Sequence, residues 1–302
     1  MNAPAPKRPR PLSFFLALRP NQWTKNALVF AAFIFALGDR TQQIDWMSFW
    51  KALVAAGLFC MVSSAIYLIN DIRDIELDRA HPKKRYRPIA AGQVPVSSAL
   101  LMSILLATTA LVAAYLFNPR LLLVILTYFI MQLAYTLGLK KIALVDLFVI
   151  AFGFVLRALA GAVALNVYIS PWLLLCTLLL ALFLALCKRR HEKVVLADLG
   201  GNTRDSLENY DTKLLDQLIG IVSAAVIVFY SIYTLWPETI NKYNTSNLAF
   251  TIPFVLFGLF RYLDLVYRHE KGDRPEKILL TDIPLIIDLL LYGTAVLFIL
   301  ML

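Results

Sequence analysis

Three aspartates spaced by three and four residues form the part of this 302-residue sequence that most clearly predicts chemistry. They are Asp71, Asp74 and Asp78, and Asn70 directly precedes the first of them. On a helix these spacings put the three carboxylates on one stripe, where they repel one another unless a cation lies between them. Carboxylate oxygens suit Mg²⁺, which proteins usually hold together with substrate phosphates. We interpret the segment as a magnesium site; the alternative is a solvated acidic face at a helix end.

A basic run follows the last of these aspartates and reads Lys83-Lys84-Arg85-Tyr86-Arg87. Ammonium and guanidinium groups bind phosphate oxygens, so such a run beside metal-binding carboxylates predicts a site for a magnesium-bound diphosphate. The alternative for each basic residue is an anchor at the membrane surface.

The composition identifies the kind of scaffold that must carry these residues. Apolar residues make up 60% of the chain and charged residues 16%, whereas soluble proteins average about half and a quarter. A soluble chain of 302 residues could not bury so much apolar surface in its cores. The composition therefore indicates an integral membrane protein and excludes soluble enzymes and disordered tails. The three cysteines lie in apolar runs without a CxxC pair, and the three histidines lack the spacing of a zinc site.

Nine apolar segments have the length of about 20 residues that a helix needs to cross a bilayer. They lie at about 22–38, 52–70, 98–117, 121–138, 143–165, 171–187, 215–236, 247–267 and 283–302. We therefore predict an all-α integral membrane protein with nine transmembrane helices, folded as a single membrane domain over residues 1–302.

Lysines and arginines fall almost entirely on one side of these predicted spans when the N-terminus is placed in the cytoplasm. The exceptions are Arg40, Lys51, Arg120, Lys242 and the intramembrane Arg157. This positive-inside bias explains the net charge of +9 without a nucleic-acid partner. It predicts a multi-pass protein of the cytoplasmic (inner) membrane with its N-terminus and active site in the cytoplasm. That side holds a basic tail and two long active-site loops, at residues 1–21, 71–97 and 188–214.

Arg157 lies within the fifth predicted span, eleven residues after Asp146. Eleven residues are about three helical turns, so both side chains share one face, which should point to the bundle interior because a lipid-facing arginine is costly. Arg157 then either makes an interior ion pair or helix contact, or it binds a substrate phosphate. A buried charge can also mark a transporter, but the short, nearly uncharged outer connections make that alternative weaker.

The segment Asn70–Asp78 resembles the NDxxDxxxD motif of the UbiA superfamily of intramembrane prenyltransferases. The predicted helix count and the polar loop after the sixth helix are also similar to that superfamily. The resemblance implies a bundle with a central cavity that faces the cytosol, where the motif binds Mg²⁺ and a diphosphate. It implies catalytic roles for Asn70, Asp71, Asp74 and Asp78, with the three aspartates as metal ligands.

The second loop departs from the usual superfamily pattern. Typical members carry another aspartate motif there, whereas this loop begins Lys188-Arg189-Arg190-His191-Glu192-Lys193 and has no aspartate pair at that spacing. In this respect, and over residues 18–26, 70–92 and 146–161, the chain resembles the branch that makes polyprenyl-phosphate phosphoribose. That resemblance implies magnesium-dependent transfer of 5-phosphoribose from phosphoribosyl pyrophosphate to a polyprenyl phosphate such as decaprenyl phosphate. Pyrophosphate would be released, and the product would serve as a sugar donor in cell-envelope synthesis.

For this reaction the candidate substrate-binding residues are Lys25, Lys84, Arg85, Arg87, Tyr135, Lys140, Arg157, Lys188, Arg189, Glu192, Arg204 and Tyr210. Lys25 is the candidate for the lipid phosphate. The candidates for the phosphates of the sugar donor are Lys84, Arg85, Arg87, Lys188, Arg189 and Arg204. The partners are then phosphoribosyl pyrophosphate, a polyprenyl phosphate and the membrane, while a homo-oligomer remains open. The alternative enzyme is a UbiA-type prenyltransferase that moves a prenyl group from its diphosphate to an aromatic or other small acceptor.

Overall fold

The computed structural model describes residues 11–39, 45–199, 210–268, 278 and 281–301. Within these ranges the α-helices are α1 Pro11–Ala17, α2 Ala31–Leu37, α3 Trp46–Arg73, α4 Ile75–Ala80, α5 Val96–Phe117, α6 Pro119–Leu137, α7 Val145–Leu165, α8 Pro171–Leu199, α9 Thr212–Leu235, α10 Pro237–Tyr243, α11 Ile252–Arg268 and α12 Ile283–Met301. Four 3-10 segments accompany them, at Pro20–Phe30, Lys84–Tyr86, Leu139–Lys141 and Asn247–Thr251. The predicted all-α class is confirmed.

Eight helices in the described part of the chain are long and apolar enough to cross a membrane. They are α3, α5, α6, α7, α8 over Pro171–Val194, α9, α11 with the turn before it, and α12. The chain is therefore a multi-pass membrane protein. The count of nine and the cavity open to the cytosol stay predictions.

The first predicted span, 22–38, differs in form from the expected α-helix. It consists of the 3-10 segment Pro20–Phe30 followed without a break by α2. Polar side chains bind the segment to α3: the Trp23 indole donates to Ser64 Oγ at 3.0 Å, and the Asn26 amide donates to Cys60 Sγ at 3.1 Å. At about 2.0 Å per 3-10 residue and 1.5 Å per α residue, the run extends about 32 Å, which is comparable to the hydrocarbon core.

Helix α7 lies between two apolar cores and contributes to both. Leu147 and Ala151, in its N-terminal half, pack into a core with α8, α9 and α11. Ala160 and Ala164, in its C-terminal half, pack into a core with α3, α5 and α6. Small side chains of this kind let membrane helices approach one another closely. The position of α7 therefore fixes both halves of the bundle relative to each other.

Gly161 lets α7 approach the 3-10 segment Pro20–Phe30 closely, and we expect its replacement by alanine to destabilise the protein. A Cβ there would lie 2.0 Å from the carbonyl oxygen of Val29, so the 3-10 segment would have to move away from α7. Overpacking of this kind costs about 1–3 kcal/mol, which corresponds to a fall in melting temperature of several degrees. Melting of the detergent-solubilised protein measures the effect. Gly57→Ala is the control, because a Cβ at Gly57 meets nothing within 4 Å; equal melting temperatures for both variants would contradict the prediction.

Candidate active site

The acidic motif lies where α3 passes into α4. Asn70 and Asp71 lie in the last turn of α3, Asp74 stands at the junction with φ −93° and ψ 16°, and Asp78 lies on α4. The Asp74 N–H still donates to the Asn70 carbonyl at 2.9 Å, and the Asp78 N–H to the Asp74 carbonyl at 2.8 Å. The two helices therefore continue one another with a local change of direction. Asp71 and Asp78 are buried, at 2% and 3% exposure.

Arg87 joins the two buried carboxylates. Its Nη1 lies 2.6 Å from Asp78 Oδ2 and 3.2 Å from Asp71 Oδ1. A single cationic nitrogen thus stands between two carboxylates, which is the arrangement that their mutual repulsion requires. The acidic motif and the basic run are thus in contact through Arg87, and their roles in binding a magnesium-bound diphosphate stay predictions.

Arg19 is a member of this cluster that the sequence reasoning did not select. Its Nε donates to Asp71 Oδ2 at 3.2 Å, and its Nη2 pairs with Asp71 Oδ1. Arg19 precedes Pro20, has a left-handed backbone with φ 56°, and holds its guanidinium 4.9 Å from the centre of the Tyr67 ring. A basic residue before a proline at the start of an apolar run is the signal that could have identified it.

Lys140 binds the remaining carboxylate from the loop between α6 and α7. Its Nζ lies 2.7 Å from each Asp74 carboxylate oxygen and 3.4 Å from Asn70 Oδ1. The 3-10 turn Leu139–Lys141 holds this lysine, which is largely buried. Lys140 is therefore part of the carboxylate cluster, and its role in substrate binding stays a prediction.

The cluster thus consists of three carboxylates and three protein cations. In the part of the chain that the structure describes, no three carboxylate, histidine or cysteine side chains converge as a complete metal cage. Asp71 and Asp78 share the Arg87 nitrogen, whereas Asp74 faces Lys140. Mg²⁺ is usually held by one or two carboxylates together with substrate phosphates and water. The pair Asp71 and Asp78 has the donor chemistry for that role, with Asp74 beside it.

His81 shapes the basic run that carries Arg87. Its Nδ1 accepts the backbone N–H groups of Lys83 at 3.1 Å and Lys84 at 3.3 Å. Burial and the nearby charge of Lys84 lower the pKa of His81 below 6.5. The imidazole is therefore neutral at physiological pH, as an acceptor at Nδ1 must be.

We expect this contact to make the basic loop sensitive to acid. A histidine whose pKa is lower in the folded than in the unfolded protein stabilises the fold above its unfolded pKa of 6.5, and this stability is lost as the pH falls through the folded-state pKa. The protection of residues 81–87 against hydrogen exchange, relative to the intrinsic exchange rate at each pH, should accordingly weaken as the pH falls through the folded-state pKa of His81, below 6.5. His81→Asn, whose Oδ1 can accept the same bonds without titrating, should abolish the pH dependence. A wild-type loop whose protection does not change with pH would contradict the prediction.

A second buried polar cluster lies at the start of α7, around Asp146. The carboxylate accepts a hydrogen bond from Arg189 Nε at 2.8 Å and another from the Tyr210 hydroxyl at 2.8 Å. Arg189 also donates through Nη1 to Glu192 at 2.5 Å. Tyr135 lies close enough to interact electrostatically with this guanidinium. Four predicted binding residues thus meet here, but Arg189 is engaged by two carboxylates and joins α8 to α7.

Arg157 is buried among neutral groups. Its guanidinium donates to Asn26 Oδ1 at 2.7 Å, to the Gly153 carbonyl at 2.7 Å and to the Tyr128 hydroxyl at 2.9 Å. It lies about 16 Å from Asp146 as measured along the helix. Of the predicted alternatives, the contacts are those of a residue that joins the 3-10 segment, α6 and α7; a role in substrate binding stays a prediction.

The other predicted cations occupy different surroundings. Lys25 is half-buried on the 3-10 segment, Lys84 is half-buried in the basic loop, and Lys188 is half-buried on α8. Arg85 is exposed. Arg204 lies outside the described residues.

Comparison with known proteins agrees with the resemblance carried by the acidic motif. The model of the UbiA prenyltransferase family matches residues 27–280, which include the motif, the basic run and Lys140. The chain belongs to the UbiA prenyltransferase family. It is therefore an enzyme of the transferase class that acts within a membrane.

Two relatives within this family share most of their length with the chain. A protein from Mycobacterium tuberculosis (strain H37Rv), named decaprenyl-phosphate phosphoribosyltransferase, is 39% identical over 269 residues, which cover 88% of this chain and 87% of that protein. A protein of the same name from Mycolicibacterium smegmatis is 38% identical over 273 residues, which cover 88% and 85%.

The fold is also that of a solved UbiA structure. The UbiA homologue from Archaeoglobus fulgidus bound to GPP and Mg²⁺ is similar with a TM-score of 0.71 and 19% identity, covering 96% of this chain and 100% of that one. At this identity the likeness establishes the UbiA fold of the bundle.

Proposed function

We propose that this UbiA-family enzyme transfers 5-phosphoribose from phosphoribosyl pyrophosphate to a polyprenyl phosphate and releases pyrophosphate. The observation that carries the proposal is the alternation of Asp71, Asp74 and Asp78 with Arg19, Arg87 and Lys140. Such a cluster offers oxygen ligands for a metal and cations for phosphates within one site. The names of the relatives that match most of the chain support the choice of donor and acceptor.

Asp71 and Asp78 would hold Mg²⁺ together with oxygens of the donor diphosphate. When bound, the metal neutralises negative charge on the leaving pyrophosphate. Arg87 bridges these two carboxylates, and its planar fork binds phosphate as well as carboxylate. We infer that Arg87 turns to the diphosphate when the donor enters, while Asn70 and Lys140 keep Asp74 in place beside it.

In the proposed reaction an oxygen of the polyprenyl phosphate attacks C1 of the ribose. The bond between C1 and the diphosphate oxygen breaks, and pyrophosphate departs with the bonding electrons. The attacking phosphate is already ionised, so no strong base needs to remove a proton. Catalysis then comes from alignment of the two substrates and from neutralisation of developing charge. Arg87 and Arg19 would supply that neutralisation.

The 3-10 segment provides a path for the lipid phosphate. Lys25 lies on the 3-10 segment, six residues after Arg19, which directly precedes that segment. Arg19 contacts Asp71 directly. A phosphate whose polyprenyl tail stays in the bilayer would pass from Lys25 to Arg19 and the carboxylate cluster.

The orientation that suits this reaction places the acidic motif in the cytoplasm. The charge bias puts both long loops and the end of α3 on that side of the cytoplasmic (inner) membrane. The water-soluble sugar donor would enter from the cytosol, and the lipid acceptor would enter from the bilayer. The product would be a lipid-linked pentose for cell-envelope synthesis.

Transfer of label by the purified protein tests the proposal. Ribose-labelled phosphoribosyl pyrophosphate is incubated with a polyprenyl phosphate in detergent, with Mg²⁺ or with EDTA. We expect label to enter the lipid phase with Mg²⁺ and to remain in water with EDTA. A parallel reaction offers a prenyl diphosphate with an aromatic acceptor. Consumption of that pair, with no label in the polyprenyl phosphate, would assign the chain to the ordinary prenyltransferases instead.

A further inference from the structure

The short connection between α6 and α7 contains a strained turn at Leu144. Its φ of 66° and ψ of −44° lie in a region that non-glycine residues rarely adopt. The Val145 N–H donates to the Ala143 carbonyl at 2.8 Å, which closes a γ-turn around Leu144. The Leu144 side chain is 43% exposed, so burial of this side chain does not account for the conformation. Other contacts must hold the turn.

Tyr210 makes the contact that holds it. The Leu144 N–H donates to the Tyr210 hydroxyl at 2.6 Å. That hydroxyl donates in turn to Asp146, whose other oxygen binds Arg189. Burial and the neighbouring Asp146 raise the pKa of Tyr210 above its ordinary value, so the hydroxyl stays protonated and keeps its donor role. The side chain is buried, which shields both bonds from water.

The same connection carries Lys140, and backbone hydrogen bonds constrain this connection. The Ile142 N–H donates to the Leu139 carbonyl at 3.1 Å, and the Asp146 N–H donates to the Ile142 carbonyl at 3.2 Å. These bonds link the 3-10 turn of Lys140 directly to the first turn of α7. Leu144 lies between these bonded segments. Its backbone conformation therefore sets the position of Lys140 relative to α7.

We propose that Tyr210 holds Leu144 in its γ-turn and thereby fixes Lys140 against Asp74. Tyr210 is then a positioning residue, through which the second cytoplasmic loop controls a cation of the carboxylate cluster. Its effect on turnover rests on the proposed function, because phosphoribosyl transfer is the activity that Lys140 would serve. The position of Lys140 itself is a property of the fold and can be tested without that reaction.

Substitutions that change the backbone freedom of residue 144 give the sharpest test of whether Tyr210 stabilises the turn. Glycine adopts positive φ readily, whereas alanine loses the leucine side chain and keeps the strain. We expect Tyr210→Phe to lower kcat/KM about tenfold. Adding Leu144→Gly should restore most of that loss, and adding Leu144→Ala should not. Equal activity of the two double variants would overturn the proposal.

A second comparison asks whether the effect passes through Lys140. If it does, Tyr210→Phe should lower activity far less when Lys140 has already been replaced by methionine, because the two changes disturb one interaction. The same tenfold loss in both backgrounds would contradict the proposed route. A residue that only stabilised the bundle would show that undiminished loss.

Hydrogen exchange without substrate separates this proposal from the proposed function. Residues 139–147 should exchange faster in Tyr210→Phe than in wild type, and Leu144→Gly should slow the exchange again while Leu144→Ala should not. If this pattern is observed in a protein that fails to transfer phosphoribose, the reaction is misassigned, whereas stabilisation of the turn by Tyr210 is supported. Unchanged exchange in Tyr210→Phe would overturn the proposal that Tyr210 stabilises the γ-turn, whichever reaction the enzyme catalyses.

Discussion

Replacing Asp71 by asparagine is expected to lower phosphoribosyl transfer at least about a hundredfold. Asparagine keeps the shape of the side chain and removes the charge that Arg19 and Arg87 both contact. The buried pair of carboxylates would then offer one charge to the metal instead of two. The variant should also need a higher Mg²⁺ concentration for half of its maximal rate.

Glu76→Gln is the matched control for this change. Glu76 lies in the same motif segment, but its side chain is 80% exposed and pairs only with the exposed Arg79 among the ion pairs of the described residues. Exposed pairs of this kind contribute little, so near wild-type transfer is expected. Size-exclusion chromatography and melting of both variants exclude unfolding as the cause. Similar losses in Asp71→Asn and Glu76→Gln would mean that the buried carboxylate has no special part in the reaction.

Replacing Arg87 by alanine is expected to have the second large effect. The change leaves Asp71 and Asp78 without the nitrogen that stands between them. It also removes the guanidinium that we propose neutralises the leaving pyrophosphate. We expect kcat/KM to fall about a hundredfold or more, with a raised KM for phosphoribosyl pyrophosphate. Arg87→Lys should recover only part of the loss, because an ammonium cannot present the planar fork.

Lys83→Ala controls for the loss of a positive charge near the site. Lys83 belongs to the same loop, and its side chain is exposed. Its removal should change the rate less than about threefold, in keeping with the weak effect of screened surface charges. If Lys83→Ala and Arg87→Ala reduced turnover equally, the loop would act through its overall charge and the bridging position of Arg87 would not matter.

The sequence predicts the parts of the site whose residues are close along the chain. The spacing of Asp71, Asp74 and Asp78 indicates one polar stripe, and the basic run after it supplies Arg87. The structure shows this pairing directly, with a local change of direction at Asp74 that the simple helical stripe does not include. The apolar segments likewise correspond to helices, because length and hydropathy alone limit what can cross a bilayer.

Contacts between distant segments were not predictable in the same way. Lys140 reaches Asp74 across 66 positions of the chain, and Arg19 reaches Asp71 across 52. Neither contact leaves a periodic pattern in the sequence. Arg189 was expected to bind phosphate because of its charge, yet packing places it between Asp146 and Glu192.

Backbone conformation was the other feature that sequence rules could not supply. Positive φ is ordinarily expected at glycine or asparagine, so nothing local marks Leu144 as the centre of a turn. The N–H of Leu144 donates to a hydroxyl 66 positions away, at Tyr210. The first apolar run reads as an α-helix by hydropathy, whereas the bonds of Trp23 and Asn26 to α3 accompany a 3-10 conformation.

The most direct test of the central claim follows two atoms of one donor molecule. Phosphoribosyl pyrophosphate is labelled with tritium in the ribose and with radioactive phosphorus in the β-phosphate, then incubated with a polyprenyl phosphate, Mg²⁺ and the purified protein. We expect tritium in the lipid and an equal amount of radioactive phosphorus in water as pyrophosphate. Both labels in the lipid, or neither released from the donor, would contradict transfer of phosphoribose at this carboxylate cluster.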